Sequence, residues 1–276
     1  MKKKVINSTA LQFTPDFPGL QGVTLMARQF PIEPFLVFTE FRMDCPVFGP
    51  HPHAGISVMT YLLPDSEGSF INRDSQGDFS TIEPGGLHIT QAGSGIHHDE
   101  FPKITGVEAH GFQIWINHHS KSRNVAPRAM HANAHEIPEI ATPSYRVRVV
   151  HGTFANQSAP HKLVTDISLL HVFLNPLQKI EVPVQSMAFL YELRGVAACD
   201  GTSLSAQRIL NFEEAGDSVT VEAGRDEVEF IVGTGTPIQE PLVYGGPFVM
   251  TTEQQMLDAQ ARYRKGGMGY LHQYKE

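Results

Sequence analysis

The stretch HPHAGISV, residues 51–58, sets His51 and His53 one residue apart directly before an apolar run. In an extended chain residues i and i+2 point to the same side. Pro52 favours an extended His51 and brings no amide hydrogen to a ladder. Both imidazoles can therefore aim at one point. A lone His-x-His pair is a weak signal, because such pairs commonly sit on the surface. The segment GSGIHHDEF, residues 93–101, supplies its complement. If it is extended, His98 and Glu100 share one face, while His97 and Asp99 share the other. Two such pairs on neighbouring strands would bring three imidazoles and a carboxylate together inside a barrel. That N/O donor set suits iron, copper, manganese, nickel, cobalt or zinc. An ion taking five or six ligands would keep open positions for water or substrate.

The rest of the chain fits strands better than helices. SVMTYLL (57–63), GFQIWIN (111–117), YRVRVV (145–150), LLHVFL (169–174), MAFLYEL (187–193), SVTVEA (218–223) and EFIVGT (229–234) read as strands. Turn signals such as PDSEGS (64–69), EPGG (83–86) and EAGD (214–217) separate them. Many short strands at this spacing predict an all-β sandwich or small barrel. The polar, proline-bearing segment 132–144 marks a boundary, giving domains 1–140 and 141–276. The second half repeats the character of the first, which hints at duplication. One helix is predicted over 251–267, with Thr251 or Thr252 as N-cap and Gln254 or Gln255 at capping-box spacing. Its stripe of Met256, Ala259 and Tyr263 is expected to pack onto a sheet.

Bulk properties narrow the function. The chain has 276 residues, enough for two domains of modest size. Its formal net charge of −8 gives no overall electrostatic footprint for nucleic acid. Two cysteines, Cys45 and Cys199, make no disulfide framework and favour a reducing compartment. The N-terminus carries lysines without an apolar run behind them, so no signal peptide is read. No stretch has the length of a membrane span. A cytoplasmic protein is the expectation.

Eight of the 14 histidines lie between residues 51 and 119. His97 should point away from a metal on the inner face. His88 could line the cavity, though a hydrogen-bonded histidine within a strand is the simpler expectation. His118 and His119 suggest a solvated turn. His110 opens the strand HGFQIWIN, with a hydrogen bond to a ligand and a purely structural part both left open. Trp115 is expected in the core, and the RDS turn (73–75) is expected to be structural.

These residues resemble the pirin family of the cupin superfamily. The resemblance rests on ordered motifs over most of the chain: HPHAG (51–55), RDSQG (73–77), EPGGL (83–87), QAGSGIHHDEF (91–101), HGFQIWIN (110–117) and GGPFVMTT (245–252). It implies two tandem cupin (double-stranded β-helix, jelly-roll) barrels with a C-terminal helix. It implies one metal in the N-terminal barrel, usually iron, held by His51, His53, His98 and Glu100. These four are also the residues that the spacing brings together. His151, His161 and His171 of the second half are not paired at i, i+2, so a degenerate barrel without metal is expected there.

Two functions follow from the resemblance. The first is a quercetin 2,3-dioxygenase-like oxidoreductase, which cleaves a flavonol with O2 and has Glu100 as its proton acceptor. Its partners would be a small aromatic substrate and O2. The alternative is an iron-dependent, redox-sensing regulator that binds a transcription factor or metabolic enzyme. The family pattern has arginine where Ala54 and Ser94 stand, so positive charge is expected to be missing near the site.

Overall fold

The computed structural model describes residues 1–205 and 207–274. The chain forms two β-barrels, each made of a seven-stranded sheet facing a four-stranded one. In the first barrel the large sheet runs, in spatial order, Arg128–Ala132, Leu87–Gln91, Ile56–Leu62, Ala109–Asn117, Phe35–Met43, Leu20–Met26 and Thr14–Phe17. The facing sheet is His51–His53, Ile96–Pro102, Phe70–Asp74 and Phe79–Ile82. The second barrel's large sheet is Val5–Ala10, Arg208–Phe212, Met187–Arg194, Val228–Gly235, Ile167–Leu174, Tyr145–His151 and Glu139–Ala141. The N-terminal strand Val5–Ala10 thus pairs with Arg208–Phe212 of the second barrel, a crossover that local sequence does not announce.

The large sheets pack against each other through one shared apolar core. Phe38, Tyr61 and Phe112 of the first meet Phe189, Tyr191 and Ile231 of the second. Residues of Ile56–Leu62 are buried on both faces, so this strand reads as a continuous run rather than an alternation. Met59 and Tyr61 enter the core between the barrels. Thr60 faces the first barrel's interior, where it bonds to Glu100.

Matched register positions explain why the two interiors differ. One row across the second barrel is Leu190, Val232, Leu170 and Val149. All four belong to a dense apolar cluster that fills that barrel. The corresponding row in the first is Thr60, Gln113, Thr39 and Thr24. Polar side chains at these inward positions leave room for a site; branched aliphatic ones close it.

The helix spans Glu253–Arg264, with Thr252 as N-cap and Gln255 completing the capping box. Met256 and Ala259 are buried and pack with Ala54, Phe248, Met250 and Met268. The helix and the Val243–Gly245/Phe248–Met250 hairpin therefore seat on the His51–His53 segment. Gly55 makes this approach possible. Its φ is +80°, and a Cβ there would come within 1.9 Å of the Val249 carbonyl oxygen.

Candidate metal centre

Strand His51–His53 pairs antiparallel with Ile96–Pro102, with His51 directly opposite His98. That register places His51 Nε2 and His98 Nε2 3.2 Å apart. The His53 ring lies 5.0 Å from that of His51 and 4.9 Å from that of His98, centroid to centroid. Each of the three rings offers a nitrogen within 4.8 Å of the others.

Backbone carbonyls fix two of the tautomers. His51 Nδ1 is 2.9 Å from the Gly49 carbonyl oxygen, and His53 Nδ1 is 3.1 Å from that of Pro247. A carbonyl only accepts, so each Nδ1 carries the hydrogen. Burial, reinforced by the neighbouring His51 ring, lowers His53 to about 3, and burial also lowers His51. The rings are therefore neutral at pH 7, and each Nε2 keeps its lone pair. Facing lone pairs repel unless a cation lies between them. Two nitrogens about 2.1 Å from one ion stand roughly 3.0–3.4 Å apart at angles of about 90–109°. The observed 3.2 Å falls in that interval. His51, His53 and His98 fit a divalent first-row ion.

Glu100 lies two residues beyond His98 on the same strand and is 4% exposed. Thr60 Oγ1 donates to its Oε1 at 2.7 Å, and Gln113 Nε2 donates to its Oε2 at 2.6 Å. Burial pushes the carboxyl up to about 7, against these two hydrogen bonds. Its oxygens lie outside the 4.8 Å histidine group. Glu100 lies on the wall of the same cavity as His51 and His53.

That cavity has a volume of about 1000 Å3. Met26, Val37, Phe41, Met43, Phe70 and Trp115 give it a largely apolar wall. Phe17 and Phe48 also line it, meeting edge to face at 5.8 Å, and are 52% and 44% exposed. Trp115 is half-buried and edge-on to His53 at 5.0 Å, so the expected core tryptophan is a cavity residue.

The two halves of the chain match family models. Residues 26–116 match the pirin model, and residues 169–269 match the pirin C-terminal cupin domain. The chain belongs to the pirin family. Human pirin is 32% identical over 248 residues, covering 87% of this chain and 84% of that protein. A tomato (Solanum lycopersicum) pirin-like protein is 31% identical over 246 residues, covering 87% and 83%. Among solved structures, a quercetin 2,3-dioxygenase from Acinetobacter baumannii superimposes with a TM-score of 0.88 at 23% identity, covering 99% of this chain and 100% of that one. The pirin YhhW from Escherichia coli in complex with nickel(II) gives 0.65 at 19% identity, covering 82% and 96%. At these identities the superpositions establish the bicupin fold.

The departures from the pirin pattern do not all fall at the cavity. Ala54 is fully buried beneath Phe248 and Met250, so it packs against the C-terminal hairpin rather than facing substrate. His97 points outward, where Leu271 N donates to its Nδ1 at 3.1 Å. Neighbouring Asp99 pairs with Arg73 at 2.7 Å, and Arg73 also donates to the His272 carbonyl. The outer face of the ligand-bearing strand thus holds the C-terminal tail of this pirin.

Other expectations are corrected. His118 is buried, with Nε2 2.8 Å from Ser57 Oγ, because the chain turns inward before the half-buried His119. His110 bonds to Glu40 at 2.8 Å, on the face between the barrels, and not to a metal ligand. His88 is 1% exposed but lies outside the cavity lining, and neither ring nitrogen has a hydrogen-bond partner among the described residues. In the second barrel, His151 Nδ1 bonds to the Ile167 carbonyl and His161 Nε2 to that of His131. Thr60, Asn72, Gln113 and Pro247 carry no sequence signal for their parts; only strand pairing and the returning hairpin bring them to the site.

Proposed function

We propose that this chain is a metal-dependent dioxygenase that opens a flavonol such as quercetin with O2, releasing carbon monoxide. One observation carries the reading: His51, His53, Glu100 and Trp115 all face one largely apolar cavity large enough for a flavonol. A divalent ion held by His51, His53 and His98, with Glu100 as a fourth ligand, would supply a Lewis-acidic template. Iron is the first candidate, with nickel, copper, manganese, cobalt and zinc as alternatives. Glu100, raised to about 7, is suited to take the proton of the flavonol 3-hydroxyl. Thr60 and Gln113 hold its carboxylate in place. The apolar walls exclude water and present Trp115 and Phe70 to flat aromatic rings.

The test is to load purified protein with iron, nickel, copper, cobalt or manganese and to follow flavonol absorbance and carbon monoxide under air. Loss of the flavonol band with carbon monoxide release is expected for at least one metal. Absence of turnover with every metal overturns the reading.

A regulatory reading draws on a different observation. The Ile96–Pro102 strand carries His98 and Glu100 inward, while its outward His97 and Asp99 hold the C-terminal tail at the surface. A change at the metal could thereby reach a surface that a protein partner reads. Fe(II) and Fe(III) forms that capture the same partners equally would count against it.

A further inference from the structure

The third imidazole differs from its neighbours, because a side chain rather than a backbone carbonyl stands behind it. His98 Nδ1 is 3.3 Å from Asn72 Oδ1 and 3.5 Å from Thr90 Oγ1. An amide could present either its oxygen or its nitrogen to that ring. Asp78 decides which. Asn72 Nδ2 donates to Asp78 Oδ2 at 3.0 Å. Both Asp78 oxygens lie 2.9 Å from Ser80 Oγ, which donates to them, so the side chain acts here as an acceptor. The amide nitrogen must therefore face Asp78, leaving the oxygen to face His98. An amide oxygen only accepts, so His98 Nδ1 must carry the hydrogen. His98 Nε2 then keeps its lone pair, aimed at His51.

The loop is built to hold this arrangement. Asp74 Oδ1 accepts from the backbone N–H groups of Gln76 and Asp78, at 2.7 and 3.1 Å, which folds the turn back on the strand. Ser80 Oγ lies 2.9 Å from both oxygens of Asp78. Asn72 itself is fully buried, so no solvent competes for its amide.

We propose that Asn72 and Asp78 are a positioning pair that sets the tautomer of His98 and thereby directs its Nε2 into the metal site. The proposal rests on the metal-centre reading above. It makes the residues that flank the RDSQG turn, Asn72 and Asp78, part of metal binding, rather than a purely structural turn.

Cobalt(II) binding, followed by visible absorption and chelator competition, tests it on the full chain. N72D sets two carboxylates face to face. D78N supplies a partner that can donate or accept, which frees the amide at 72 to turn. Each single variant is expected to weaken cobalt affinity about tenfold or more. The double variant N72D/D78N reverses the polarity of the pair. Its new carboxylate at 72 accepts from His98 Nδ1–H and its new amide at 78 donates, so affinity should return to within about threefold of wild type. A merely structural role predicts that the two losses add. Single variants within about twofold of wild type, or a double variant no better than the worse single one, overturn the proposal.

His98→Ala separates the two readings. If it binds cobalt as wild type does, the metal-centre reading fails. If it loses the ion while N72D and D78N do not, only the positioning pair fails. Should a variant fail to fold, long-range 1H–15N NMR of the wild-type apoprotein decides the matter directly. A protonated Nδ1 on His98 is expected, and a protonated Nε2 overturns the proposal.

Discussion

His51 Nε2 and His98 Nε2 stand 3.2 Å apart on directly opposed residues, although 47 positions separate them along the chain. Neutral and with its outer nitrogen already bonded, neither ring has a hydrogen to give the other. A cation relieves this. Saturating nickel or cobalt is therefore expected to raise the wild-type melting temperature. At about 1,000 times Kd the gain is about 4 kcal/mol, or on the order of 10 °C for a chain of this size. In His51→Ala or His98→Ala the metal-dependent gain should shrink to near zero, as read by calorimetry with and without ion.

Trp115 is the single tryptophan, and its ring lies 5.0 Å from that of His53. Its fluorescence should thus report the site. Titration with cobalt, nickel or copper is expected to quench it, saturating at one ion per chain. His53→Ala should remove the saturable component. An unquenched signal in metal-loaded protein would contradict the placement.

Gly55→Ala should couple stability to metal binding. The added methyl would meet the Val249 carbonyl oxygen at a positive φ, so the hairpin that carries Pro247 must move away. Pro247 holds His53 in orientation. The expected loss is about 1–3 kcal/mol of stability together with about tenfold weaker metal affinity. Thermal melts and chelator competition measure the two separately.

Two matched networks tie the barrels together. Arg148 Nε donates to Tyr61 Oη at 3.2 Å, Tyr61 donates to His171 Nδ1 at 3.0 Å, and His171 Nε2 donates to Glu229 at 2.9 Å. At the corresponding positions Tyr191 donates to Glu40 at 2.5 Å, and Glu40 accepts from His110 at 2.8 Å. Tyr61→Phe leaves Arg148 Nε and His171 Nδ1 without this partner. It should cost about 1–3 kcal/mol, or roughly 2–10 °C in Tm, while leaving metal stoichiometry unchanged.

Glu192 gives a pH signature away from the metal. It is fully buried in the second barrel with neither oxygen hydrogen-bonded among the described residues, and burial pushes it up to about 8. Between its ordinary value of 4.5 and about 8, the folded chain keeps a proton that the unfolded chain has released. Its contribution to stability is therefore present at low pH and falls as pH rises through that window. Glu192→Gln removes this slope. The drop in Tm between about pH 5 and about pH 8.5 should be smaller in the variant, by a few degrees.

Much of the site was legible because the pleat of a strand is a local property. His51 with His53, and His98 with Glu100, share faces by alternation alone, and Pro52 keeps the first pair extended. Pairing between the two strands, and so the 3.2 Å contact, needed tertiary structure. Alternation also told His97 and Asp99 to point outward, but not that the C-terminal tail would lie on them. His118 misled because its burial depends on Ser57, 61 positions away. Asn72 and Pro247 were invisible for the same reason: an amide and a proline carbonyl gain meaning only from the ring they face.

The sequence by itself determined the strand-rich class, the capped C-terminal helix and the faces on which the ligand residues lie, since propensity, turn chemistry and period-two alternation act over a few residues; the two-barrel organisation came from the resemblance of its ordered motifs to the pirins. The tertiary structure decided that the imidazoles of His51, His53 and His98 converge. It also decided that the first interior stays open and the second is filled, and that a hairpin from the far end of the chain orients His53. Those outcomes depend on register between strands and on contacts between distant segments, which arise only when the barrels close.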